Sequence, residues 1–122
     1  MATAMTWNDV LRFVKQWIES RIPGFLRLLD AISLARYGKK FLDLLLSNPK
    51  DAYNLVKEKY GGDEASADFV FVTLILKPIA SKLGKLGLEY EMLRYVKEGD
   101  ADKLRDLLRD FMDNNDKTSV SG

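Results

Sequence analysis

Six cations fall into two clusters along this sequence. Arg36, Lys39 and Lys40 lie close together, and Lys77, Lys82 and Lys85 are the only charged residues between Asp68 and Glu89. Lysine and arginine neutralise phosphates and release their counterions, so both clusters are candidate nucleic-acid contacts, with Tyr37 placed to stack on a base. Solvated lysines also flank buried helices without binding anything. The formal net charge is only +1, so no global field draws the whole chain onto a polyanion, and any such contact is local.

The carboxylates offer less. Glu98, Asp100 and Asp102 resemble the opening of a calcium loop, but no glycine follows at the sixth loop position and no glutamate at the twelfth, so the sequence points to a capped helix junction. Gly61-Gly62-Asp63-Glu64 shares its letters with the signature of cyclic-dinucleotide synthases, yet Ala65 stands where that signature has phenylalanine. A glycine-closed helix followed by a capping aspartate explains the same residues. Glu89 and Glu91, two apart on a helix, point in different directions and make no acid–base pair. Cysteine and histidine are absent, which removes thiolate nucleophiles, imidazole bases and the usual zinc, copper and haem ligands. The expectation is a protein that is not an enzyme, with no catalytic, cofactor or metal residues.

Trp7 and Trp17 are the remaining candidates. Ten residues apart, they fall on the same face of a helix, where core packing is the ordinary fate of such rings. A terminal helix with two tryptophans is also suited to dock a protein partner or a second copy of the chain, because aromatic anchors dominate interfaces.

The elements that carry these residues read as helices throughout. Thr6 and Asp9 resemble a capping box, and Trp7, Val10, Leu11, Val14, Trp17 and Ile18 recur at helical spacing, predicting a first helix from Trp7 to near Arg21. After Pro23-Gly24, Phe25, Leu28, Leu29 and Ile32 define a second helix that ends or bends near Gly38, before a short segment with Phe41, Leu42 and Leu45. Asn48 is expected to cap a helix from Pro49 to about Tyr60, closed by Gly61-Gly62. The stretch from Asp68 to Leu76 is β-prone by composition, but a lone strand has nowhere to pair. Asp63 to Leu83 is therefore assigned to a central helix, buried nearly all round and bent at Pro78. A helix ending at Gly99 and a last one capped by Asp100, with Leu104, Leu107, Leu108 and Phe111 on one face, complete the set.

The fold expected is all-α: a compact bundle of about five to seven helices around the central apolar helix. Residues 1–112 would form a single helical domain and 113–122 a disordered tail. With 47% apolar and 30% charged residues the chain has ample material for one core. No signal-like or membrane-length apolar run occurs, which suggests a cytoplasmic protein with no membrane partner. Abundant charge with a single glutamine has a thermophilic flavour.

The run from Asn48-Pro49 through Tyr60-Gly61 to Lys77 resembles small helical archaeal domains found alone or as output modules of signalling proteins. The likeness implies a small regulatory or adaptor domain and carries over no functional residue. The functional expectation is a non-enzymatic protein-interaction or regulatory module, presenting Trp7 and Trp17 to a partner or to itself. The alternative is a nucleic-acid accessory protein using Arg36, Lys39, Lys40, Lys77, Lys82 and Lys85.

Overall fold

In the computed structural model of the chain, residues 6–110 are described. Every element among them is helical: α1 (Trp7–Arg21), α2 (Phe25–Tyr37), α3 (Phe41–Ser47), α4 (Pro49–Lys59), α5 (Glu64–Val70), a π-helical segment (Phe71–Leu76), α6 (Lys77–Lys82) and α7 (Leu88–Glu98), followed by a helix α8 over 101–110. The chain is an all-α compact bundle. The tail expected at 113–122 lies outside the described residues. Among these residues no helix is long and apolar enough to cross a membrane.

Local chemistry sets most boundaries. Thr6 and Asp9 form a reciprocal capping box, each side chain accepting the other's backbone N–H. Gly38, at φ 74°, closes α2 in the left-handed region where a β-carbon is disfavoured, and the buried Ser33 hydroxyl donates to the Lys39 carbonyl at 2.7 Å to hold the turn that follows. Asp63 accepts from the Ser66 amide at 3.0 Å, and Asp100 accepts from the Lys103 amide at 3.0 Å, so both expected caps form. Asn48 does not cap with its side chain. It is at once the end of α3, donating its N–H to Leu44, and the start of α4, and this shared position leaves only its carbonyl to receive the amides of Asp51 and Ala52.

α5, the π-helical segment and α6 run without interruption from Glu64 to Lys82 and form the central helix. Its middle is rich in β-branched and aromatic residues, yet Phe71, Leu74, Ile75, Leu76, Ile79 and Ala80 are all buried, so tertiary packing overrides strand propensity. Phe71 lies between Phe41 and Tyr53, at ring-centroid distances of 6.2 and 5.7 Å. α1 and α7 flank this helix, and α4 packs against both α5 and α7. The helix is not enclosed on every side, however. Ala65, Phe69, Lys77 and Ser81 face outward because α1 and α7 cover its two flanks and no described element covers the line between them; Phe69 is 70% exposed.

Pro78 does not simply bend the helix. Ahead of it the backbone widens to π register, and the Lys77 amide donates to Val72 instead of Thr73. The next π donor to Thr73 would be residue 78, which as proline has no N–H. The Thr73 carbonyl is thereby denied both its α-helical and its π-helical partner.

Candidate binding face

That carbonyl meets α1. The Trp17 indole Nε1–H donates to it at 3.3 Å, a long but real hydrogen bond across 56 residues of sequence. Trp17 is half-buried, with Phe13 beside it at 5.9 Å and the Arg21 guanidinium carbon 3.5 Å from its ring centroid. Its ring therefore sits at the edge of the helix pair, with its N–H committed to the backbone of the central helix. Trp7 is also half-buried and packs against the core.

The Trp17–Thr73 bond fixes one end of an antiparallel pairing of α1 with the central helix. The Lys82 ammonium, 5.6 Å from the Phe13 ring centroid, fixes the other. Phe69 stands one turn before Thr73, whose hydroxyl donates back to the Phe69 carbonyl at 2.7 Å. Along the seam, rings from Phe69, Trp17 and Phe13 thus accompany cations from Arg21, Lys77 and Lys82. None of these three cations lies within 4.0 Å of a carboxylate among the described residues. Asp9 of α1 is an acid that feels this seam: its bonds to Thr6 lower its carboxyl below the usual range, and the positive charges of Arg12 and Lys82 add to the effect. Glu19, the other acid of α1, accepts from the Gly24 amide at 3.2 Å. α1 and the segment 69–87 together hold Arg12, Lys15, Arg21, Lys77, Lys82 and Lys85 against those two carboxylates, an asymmetry hidden by the net charge of +1.

The two basic clusters are not joined. α2 and α3 pack on each other and on α4, whereas α6 packs on α1 and α7, so α1 stands between the clusters. Within the first, Arg36 is paired with Glu58 and Lys39 donates to the Ser47 hydroxyl at 3.2 Å. Lys40 lines a small cleft with Lys15, Asp30 and Asp43. Within the second, Lys77 and Lys85 are exposed and Lys82 is half-buried over Phe13.

Sequence reading passed over the opposite flank of the central helix. There Lys97 of α7 reaches Glu64 at 2.9 Å and Asp68 at 3.0 Å, and the Tyr53 hydroxyl donates to Asp68 at 2.5 Å. The signal was present: Glu64 and Asp68 are four residues apart and share a helix face, which suits a common cation. The two carboxylates hold the Lys97 ammonium above its usual pKa, while burial and then the Asp68 bond push the Tyr53 phenol up. Glu89 was weighed only as a partner of Glu91, and its burial was not foreseen. It is buried at the start of α7, where its carboxylate accepts from the Gly87 amide at 2.7 Å.

Of the three carboxylates weighed as a calcium loop, Asp100 caps a helix and Asp102 lies 2.7 Å from Arg105. Comparison with protein-family models, with curated proteins and with solved structures finds no match to this chain.

Proposed function

We propose that this chain is a non-enzymatic interaction module that takes hold of an anionic partner along the seam between α1 and the central helix. The observation that carries the reading is Phe69: a large ring, 70% exposed, on the outward line of the central helix with Lys77, where Lys77, Lys82 on the same helix and Arg21 over Trp17 all lack a carboxylate within 4.0 Å among the described residues. Exposed single apolar residues are common on any surface. This one shares the outward line of the central helix with Lys77, and the segment 69–87 in which it stands holds three lysines and no carboxylate.

A cationic seam on a nearly neutral protein makes a distinctive prediction for chromatography on immobilised heparin. The wild-type chain is retained beyond what a charge of +1 supports, and the pair Lys77→Glu with Lys82→Glu elutes at clearly lower salt. A charge-matched control, Lys57→Glu with Lys59→Glu on α4, shifts much less. Equal shifts for the two pairs would mean that only net charge matters and would remove the seam as a binding face.

A further inference from the structure

Resting on that reading of the seam, we infer that its partner is single-stranded nucleic acid, with Phe69 and the Arg21 guanidinium as stacking surfaces and Lys77 and Lys82 as phosphate contacts. The argument starts from spacing. Phe69 and Lys82 lie thirteen residues apart on one continuous helix, about 20 Å at helical rise. That length suits about four nucleotides, the low end of single-strand site sizes. Along it come Phe69, then Thr73 with the Trp17 indole and the Arg21 guanidinium over that ring, then Lys77, and last Lys82 over Phe13.

An acidic peptide would satisfy the lysines but has no flat π-surface to lay on Phe69. Duplex DNA would also satisfy the lysines, but its base faces are already stacked on one another. A single strand offers phosphates and free base faces together, so it uses both halves of the surface. Arg21 contributes in the same manner, because its exposed guanidinium, 3.5 Å from the Trp17 ring centroid, puts a planar cation on that ring within reach of a base.

The test is fluorescence anisotropy of a labelled poly-dT strand of about twelve nucleotides, a length within known single-strand site sizes. Phosphate contacts by Lys77 and Lys82 give an expected loss of affinity of about sevenfold between 50 and 200 mM salt, from the slope of roughly 0.7 per phosphate for single strands. Lys77→Glu with Lys82→Glu flattens that dependence. Phe69→Ala weakens binding by about tenfold, the scale of one lost stack, with unchanged helical circular dichroism because the ring is mostly exposed. A duplex of the same length binds several-fold more weakly.

Three results would overturn the inference: no binding at 50 mM salt, equal affinity for duplex and single strand, or indifference to Phe69→Ala. If they occur while heparin retention still depends on Lys77 and Lys82, the seam stands and its partner is an acidic protein. If that dependence is absent too, the seam itself fails.

Discussion

The central helix treats its two flanks in opposite ways. Toward α4 and α7, Lys97 bridges Glu64 and Asp68 while Tyr53 bonds the same aspartate, so each polar group that approaches the core there has a partner of matching chemistry. Toward α1, the hydrogen bond from Trp17 to Thr73 is the only side-chain hydrogen bond found across the seam among the described residues, and the cations around it meet no carboxylate within bridging distance. Pairing half-buried charge fixes a neighbour in place, because breaking one partner strands the other. Leaving charge unneutralised on an exposed edge adds little to folding and keeps it available to an outside ligand. The contrast within one helix separates a flank built for cohesion from a flank left open.

The largest expected loss comes from beneath both flanks. Phe71 is fully buried between Phe41 and Tyr53, so Phe71→Ala should cost about 3–5 kcal/mol in denaturant-measured stability, the range for deleting a core phenyl ring. A loss below about 1 kcal/mol would mean that the core is not centred on the π-helical segment.

Next comes the closed flank. Lys97→Met leaves Glu64 and Asp68 without their cation and should cost about 1–2 kcal/mol, a modest value because the pair is partly exposed. The flanks should also fail at opposite ends of the pH scale. Lys97 and Tyr53 both have folded-state pKa values raised above their ordinary 10.5 and 10.0, so the stability they contribute is full below about pH 10 and fades as pH climbs through the raised values. Asp9, at the end of α1, has a lowered carboxyl, so its contribution is present above its ordinary value of 3.8 and is lost as pH falls through the lower folded value. Denaturation midpoints followed with pH should show the alkaline decline softened in Lys97→Met and the acid decline softened in Asp9→Asn. If each variant left its own limb unchanged, the assignment of those groups would be wrong.

Much of the helical layout was legible because it depends on neighbours in sequence. The capping box at Thr6, the left-handed glycine at position 38, the Gly61-Gly62 closure and the caps at Asp63 and Asp100 are decided by a few adjacent residues, and each stands where their chemistry places it. Leu74, Ile75 and Leu76 read as a helix despite their β-prone surroundings because a strand there would lack a partner. What lay beyond reach joins residues far apart. Tyr53 and Lys97 flank Asp68 from two other helices, and Trp17 finds Thr73 across 56 positions. Asn48 failed as a side-chain cap because a second helix ends on it, which the motif alone does not reveal. Phe69 was expected inside because its stretch is apolar in bulk. Its exposure depends on α1 and α7 leaving one line of the central helix uncovered.

The smallest effect tests the open flank most sharply. Trp17→Phe keeps an aromatic ring but removes the N–H that serves the Thr73 carbonyl, and should cost about 1 kcal/mol, since the bond is long and its surroundings only half-buried. The carbonyl lacks a helical donor because Lys77 donates to Val72 and Pro78 has no N–H. Pro78→Ala supplies that missing donor. In a double-mutant cycle the Trp17→Phe cost should therefore shrink toward zero in the Pro78→Ala background, giving a coupling of about 1 kcal/mol between residues that need not touch. Losses of packing at Pro78 cancel within the cycle, so what is left reports the carbonyl alone. An unchanged Trp17→Phe cost would mean that the indole contributes only its ring, and that the link between α1 and the central helix rests on packing instead of on a backbone group that proline leaves unserved.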